Sequence, residues 1–376
     1  MVRRILDNGA SSSFLHKVKD KNIEVSAVVE NPILKCKKEI AETSIKQNVP
    51  LPVDIFANAR KNSKGLDLAD PINQEYFVKI MKKGYKLTSA PIVKSLLKGE
   101  RHAVNNPANQ DEIVGYSETA NFSQAKQALE YIKKQKLDWD TPQNRANKIR
   151  KLGDLLEKNQ EELIYILVKE AGKVFNDAIA EIREAIDFCY YYASLVDKDF
   201  AEDKILKGVT GEENRYFYRA KGIFVCISPW NFPLAIFLGQ IVGALAAGNL
   251  VIAKPATQTS LIAAKAIDLA YEAGIPKEAL VYLPCSGGVI SQEILSSKDI
   301  EGVVFTGSTS TAANINKTLV ARENASIPTI IAETGGLNSM IVDSSSLLEQ
   351  AVDDIIISAF HSAGQRCSAL RIAFVQ

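Results

Sequence analysis

Two residues near the end of the sequence could do covalent chemistry together. Cys367 lies in Gly364-Gln365-Arg366-Cys367-Ser368, a small and polar setting. A nearby arginine and a helix end can favour a thiolate, the form that attacks carbonyl carbon. Glu333 stands directly after the apolar run Thr329–Ala332 and before Gly335-Gly336. A carboxylate at a strand's end can take the proton of a water molecule. Thiolate attack on an aldehyde, loss of hydride to a nicotinamide and hydrolysis of the thioester would use both groups. Each also has a plainer reading, a small buried apolar side chain for the cysteine and a solvated turn carboxylate for the glutamate.

Three further segments could serve such a reaction. In Ser228-Pro229-Trp230-Asn231-Phe232-Pro233 the Asn231 amide can donate to a developing oxyanion beside the backbone N–H of Cys367, or simply form a turn between prolines. Phe305-Thr306-Gly307-Ser308-Thr309 ends one apolar run and opens a helical pattern, a place for a pyrophosphate or an ordinary helix cap. Lys254-Pro255-Ala256 ends another run, where the ammonium could bind ribose hydroxyls or face solvent.

These segments need a frame, and after Tyr216 the pattern supplies one. Short apolar runs at Ile223–Ile227, Leu250–Ala253, Leu280–Leu283, Gly302–Phe305, Thr329–Ile331 and Met340–Val342 are separated by helical stretches at Pro233–Ala247, Ser260–Ala273, Val289–Ser296 and Thr309–Ala321. That alternation predicts an α/β fold with a doubly wound parallel sheet. Upstream, Ala103-Val104 and Ile113–Gly115 bracket the turn Asn105–Ala108, a hairpin signal. Helices are expected at Phe122–Lys134, after Thr141-Pro142, at Gln160–Ala171 and at Ala178–Leu195. Residues 18–100 are Lys-rich and interrupted by prolines, a linker carrying helices such as Pro71–Lys83. Residues 1–17 read as a short helix ending near Asn8-Gly9.

Composition narrows the class. A net charge of +1 offers no electrostatic footprint for nucleic acid. Five scattered cysteines without a CxxC pair argue against a zinc site or a disulfide framework and fit a reducing, cytoplasmic setting. The uncharged stretch Gly222–Ala253 is broken by Pro229, Asn231, Pro233, Gln240 and Asn249. It falls short of the ~20 apolar residues of a membrane span and reads as buried strand and helix.

In this order and on this frame, the motifs resemble the aldehyde dehydrogenase superfamily over about residues 100–376. The resemblance implies Cys367 as nucleophile, Glu333 as general base and Asn231 as oxyanion donor. It implies an NAD site lined by Ile227, Ser228, Pro229, Trp230, Lys254, Phe305, Gly307, Ser308 and Gly335. The stretches Phe360–Arg371 and Arg183–Ala193 look like the pyrroline-5-carboxylate (glutamate semialdehyde) dehydrogenase branch. This makes Ser368 a contact for the substrate carboxylate and Glu184 a substrate-gate residue. Arg3 to Phe14 resembles the last active-site helix of the proline dehydrogenase barrel in the bifunctional PutA family, where paired arginines grip the proline carboxylate. Arg3 and Arg4 match that pair, and Asp7 departs from the family's glutamate.

The implied layout is a proline dehydrogenase tail at 1–17, a helical linker at 18–100, an NAD-binding domain at 101–330 and the start of a catalytic domain at 331–376. The FAD-binding barrel would precede Arg3, and further catalytic and oligomerisation elements would follow Gln376. Little activity is therefore expected of this chain alone. The rival expectation is a non-catalytic remnant, or half of a split enzyme completed by another fragment or by a homo-oligomer. Cys285 and Ser291 stand where the family usually has glycines, and Thr257 where NAD-specific members often have a ribose-binding glutamate.

Overall fold

The computed structural model describes residues 14–29, 31–42, 50–91 and 99–376. Its contacts divide the chain into two units, Met1–Leu51 and Pro52–Gln376. In the first unit the described elements are the helices Phe14–Lys19, Val25–Val28 and Pro32–Glu42. Arg3, Arg4 and Asp7 lie outside the described residues.

The second unit carries the chemistry-bearing residues. Its first sheet joins β1 (Leu87–Ser89), β2 (Glu100–Asn106) and β3 (Asn109–Thr119) in the order β1-β3-β2. The β2–β3 hairpin turns at Pro107-Ala108, where Asn106 Oδ1 accepts from the Ala108 N–H at 2.9 Å. The helices expected upstream form at Phe122–Ile132, Pro142–Lys158, Gln160–Ala171 and Phe175–Asp199. Local chemistry sets their ends. Asn121 and Gln124 make a reciprocal capping box, and the Thr141 side chain accepts from Asn144 N ahead of Pro142. Gly172, at φ 65°, stops Gln160–Ala171 in a left-handed turn. An exposed hairpin of β4 (Lys204–Leu206) and β5 (Asn214–Tyr216) follows.

The main sheet contains β6 (Ile223–Ile227), β7 (Leu250–Lys254), β8 (Leu280–Tyr282), β9 (Ile300–Gly307) and β10 (Thr329–Thr334). All neighbours are parallel, in the order β10-β9-β6-β7-β8. The chain therefore winds from β6 to β8 along one side, then returns to lay β9 and β10 on the other. β6 and β7 are buried throughout, because helices cover both faces of a wound parallel sheet. The order reverses between β6 and β9, and the crevice beyond the carboxyl ends of those strands is where such sheets bind ligands.

The helix capping of this sheet reaches far along the chain. Glu170, at the end of Gln160–Ala171, is 4% exposed and accepts from the Leu261 and Ile262 N–H groups at 2.7 and 2.9 Å. It thus caps the helix Ser260–Glu272. Burial outweighs those two hydrogen bonds and pushes its carboxyl up to about 8.

Two segments depart from the sequence expectation. Met340–Val342 was expected to continue the main sheet. It lies instead in β11 (Asn338–Val342), which pairs in parallel with β12 (Leu370–Val375) across the helix Leu348–Phe360. Gly335 and Gly336 separate it from β10, and its partner strand comes later in the chain than the alternation pattern extended. The helix expected at Val289–Ser296 begins at Gly287, where Ser286 Oγ accepts from Val289 N, and winds as a π-helix over Ile290–Leu295.

Candidate active site

The carboxyl ends of β6, β7 and β9 converge on the segment that carries Cys367. The helix Leu348–Phe360 stops at His361, and Ser362 and Ala363 both take left-handed backbone conformations, at φ 55° and 54°. Gly364 continues the turn at φ 67°, where a Cβ would lie 2.9 Å from the Ala359 carbonyl oxygen. This coil swings the chain from the helix back over the main sheet. Arg371 Nη2 donates to the Gly364 carbonyl at 3.0 Å, and Asn338 Nδ2 donates to the Cys367 and Ala369 carbonyls at 2.6 and 3.0 Å. Cys367 itself is exposed.

Asn231 meets this segment directly, donating from Nδ2 to the Gln365 carbonyl at 2.7 Å. The ring of Phe232 lies 5.3 Å from the Arg366 guanidinium carbon and 4.5 Å from Lys173 Nζ. Two cations thus bear on one aromatic ring between the two loops. Lys173 is itself paired with Glu181 at 2.8 Å, both side chains almost fully buried. Glu181 Oε1 also accepts from Leu234 N and Ala235 N, at the start of the helix Ala235–Ala246 that follows the Asn231 loop. Burial pushes the Glu181 carboxyl up, opposed by Lys173 and the two N–H groups.

Glu184 sits one helical turn beyond Glu181, in the same field. Surrounding protein and the Glu181 carboxylate push its carboxyl up, with Arg366 and Lys173 opposing, although the residue keeps an exposed edge. His361 Nε2 lies 2.7 Å from Asp177 Oδ1, a second contact between the coil and the helix Phe175–Asp199.

Two cavities meet at Cys367. One, of about 590 Å³, lies over the β6/β9 switch point. Its walls include Ser228, Pro229, Trp230, Asn231, Lys254, Phe305, Gly307, Ser308 and Gly335. The Ser308 side chain accepts from Thr311 N and caps the helix Thr309–Val320, whose first turn opens into this space. A Cβ at Gly307 would stand 2.6 Å from the Phe305 ring, so that position stays bare backbone. The Ser228 hydroxyl is buried with no hydrogen-bond partner, and Lys254 is 8% exposed, with burial lowering its ammonium. Ile227 is buried at the end of β6, its carbonyl accepting from Gln240 Nε2 at 3.3 Å.

The other cavity, of about 650 Å³, is largely apolar, with Phe188, Tyr192, Phe224 and Ile236 among its walls. Glu333 and Cys367 share it. The structure therefore gathers Asn231, Glu333 and Cys367 around one junction. Ser368 is exposed beside Cys367, and neither it nor Glu184 lines either cavity. Sequence reasoning missed Lys173, Glu181, Phe232, Asn338 and Arg371. Of these, Phe232 and Arg371 stood inside segments already singled out.

This wound sheet brings a cysteine, a glutamate and an amide to one junction at its carboxyl edge, and the sequence profile of the aldehyde dehydrogenase family matches residues 95–376. The chain belongs to that family. It is 42% identical over 388 residues to the bifunctional protein PutA of Escherichia coli K12, covering 100% of this chain and 28% of PutA. It is 37% identical over 268 residues to the 1-pyrroline-5-carboxylate dehydrogenase of Bacillus subtilis 168, covering 70% of this chain and 52% of that protein. Among solved structures, the 1-pyrroline-5-carboxylate dehydrogenase from Thermus with bound NAD superposes with a TM-score of 0.78 at 29% identity, over 84% of this chain and 63% of that one. The chain thus spans little more than a quarter of PutA and about half of the Bacillus enzyme.

Proposed function

We propose that this chain carries the residues for NAD-dependent oxidation of glutamate semialdehyde, the open form of pyrroline-5-carboxylate, to glutamate. One observation carries the reading. Cys367 lies where the switch-point cavity meets the apolar cavity that holds Glu333, with the Asn231 amide tied to its own loop. Similarity to PutA and to 1-pyrroline-5-carboxylate dehydrogenases supports the choice of aldehyde.

The switch-point cavity fits a dinucleotide. A nearly buried ammonium, a buried hydroxyl in want of a partner and a helix N-terminus suit a polyanion with ribose hydroxyls. Lys254, Ser228, Ser308 and the backbone at Gly307 and Gly335 would hold it, with Trp230 at the edge. When bound, NAD supplies the hydride acceptor. The Cys367 thiolate adds to the aldehyde carbon, and the Asn231 amide with the Cys367 N–H holds the oxyanion. Loss of hydride leaves a thioester on Sγ. Glu333 then takes a proton from water, the hydroxide displaces the thiolate, and glutamate departs. Ser368 and Glu184 serve the substrate carboxylate and the entrance. Arg3 and Arg4 belong to a proline site completed by a flavin-bearing barrel.

The test is NADH formation by the purified chain with pyrroline-5-carboxylate, beside a Cys367→Ala control. Turnover that survives in the control sinks the assignment of Cys367.

A second reading is favoured by the apolar surface of the last segment. Ile341 is 81% exposed and Phe360 71%, and Val352, Ile356, Ile357, Phe374 and Val375 are also open. β11 and β12 form a two-stranded parallel sheet, a pairing that is ordinarily covered on both faces. On this reading the site works only with a companion polypeptide over that surface, and turnover appears on adding that companion rather than with the chain alone.

A further inference from the structure

One side chain holds the turn that carries the nucleophile. Asn338 Nδ2 donates to the carbonyls of Cys367 and Ala369, at 2.6 and 3.0 Å. An amide nitrogen has two protons, so a single group serves both oxygens. The two carbonyls flank Ser368, inside a turn that the Ala369 N–H closes on the Arg366 carbonyl at 3.2 Å. The carbonyls just before are taken as well, Gly364 by Arg371 and Gln365 by Asn231. Every carbonyl from Gly364 to Cys367 thus has a donor, whereas the Cys367 N–H meets no acceptor among the described residues. Across the planar trans peptide between Arg366 and Cys367, a carbonyl held one way turns that N–H the other way.

The same side chain belongs to the segment of the proposed base. Asn338 comes five residues after Glu333, past Gly335-Gly336, at the start of β11. The β11–β12 pairing shifts register between Asn338 and Ser339, the kind of irregularity that re-aims a side chain. Glu333 and Cys367 are separated in the chain by all of β11 and the helix Leu348–Phe360. Through Asn338 they are joined by five residues and one hydrogen bond. We propose that Asn338 is a positioning residue for the thiol chemistry, its paired hydrogen bonds fixing the Cys367 turn relative to Glu333. The inference rests on the reading of Cys367 as nucleophile and Glu333 as base. Asn338 lines neither cavity, so it acts through the backbone of Cys367 and not on cofactor or aldehyde. A reacting group displaced by about 1 Å loses about 10²-fold in rate, which is the effect such a clamp prevents.

Two variants of the full chain decide it, at about pH 8, where an aspartate is ionised. Asn338→Ala removes the amide. Asn338→Asp keeps its shape but has no proton to give. The single-turnover NADH burst with pyrroline-5-carboxylate is expected to slow by about 10²-fold in both, with NAD affinity within about threefold of the parent's. Hydrogen exchange over residues 364–370, followed by mass spectrometry, is expected to quicken by about tenfold while β6 keeps its protection. A burst in Asn338→Asp at the parent's rate would show that Asn338 only fills space, and the proposal falls. Unchanged exchange over residues 364–370 in Asn338→Ala overturns it too, as does exchange that quickens equally in β6, which would mean a general loosening of the fold. If the parent chain itself gives no burst, the proposed activity of the chain alone fails, and the exchange comparison still decides whether Asn338 holds the turn.

Discussion

The side-chain amide of Asn231 donates to the carbonyl of Gln365 at 2.7 Å, across 134 residues of sequence. This one bond ties the loop after the first strand of the wound sheet to the coil that carries the nucleophile. The same amide is the proposed oxyanion donor, so it sits within one short coil of Sγ before any substrate arrives. Asn231→Ala is expected to lower aldehyde turnover by about 10²- to 10³-fold, the usual loss for one oxyanion donor. Because the tie to Gln365 is lost too, the rate of Cys367 alkylation by iodoacetamide should change as well. Unaltered turnover in Asn231→Ala would remove the amide from the mechanism.

Glu333 and Cys367 line one cavity, and the proposed base acts only after the thioester has formed. Glu333→Gln should therefore release about one equivalent of NADH per chain in a rapid burst and then stall. Its steady rate is expected to fall by about 10²- to 10⁴-fold, the range for a lost general base. The measurement is stopped-flow absorbance with and without a strong added nucleophile, which should restore turnover by cleaving the thioester. Loss of the burst itself would mean that Glu333 acts earlier, on the thiol.

The strands β6, β7 and β8 were legible because their burial forces continuous apolar runs. Ile223–Ile227 forms with the expected limits, and Lys254, Gly307 and Glu333 fall at strand ends as their sequence settings required. The small, polar setting marked the loop of Cys367, while the role expected of the cysteine came from the family resemblance. What could not be read were links that the fold makes between distant segments. Nothing around Lys173 or Glu181 says that they pair, or that Glu181 reaches the N–H of Leu234, 53 residues away. Nothing near Asn338 shows that its amide will grip the Cys367 carbonyl. The same blindness explains β11: its apolar pattern announces a strand but does not name its neighbour.

The Lys173–Glu181 pair is almost wholly enclosed, so removing one partner leaves an uncompensated charge. Glu181→Ala also strips the acceptor from Leu234 N and Ala235 N at the head of Ala235–Ala246. A loss of about 3–5 kcal/mol is expected, as for other broken buried pairs. Denaturant unfolding of the variant measures it. Glu181→Gln keeps an acceptor oxygen for the two N–H groups and should recover part of the loss. A change below about 1 kcal/mol in Glu181→Ala would show that water reaches Lys173.

Glu170 gives the chain a defined response to pH. Its carboxyl is raised from 4.5 to about 8 by burial, against the opposing Leu261 and Ile262 N–H groups. A raised folded-state value means that the folded chain holds the proton more tightly than the unfolded chain. The resulting stability is complete below about pH 4.5 and is lost as pH rises through about 8. Its slope in that window is at most roughly 1.4 kcal/mol per pH unit. Glu170→Gln keeps an acceptor oxygen for one of the two N–H groups and cannot titrate. The thermal midpoint of the parent chain is therefore expected to fall more steeply than that of Glu170→Gln between about pH 5 and pH 8. Glu181, also raised, contributes to both curves alike and cancels in the comparison. Parallel curves would mean that the N-terminus of Ser260–Glu272 holds Glu170 ionised in the fold, with the helix dipole outweighing burial.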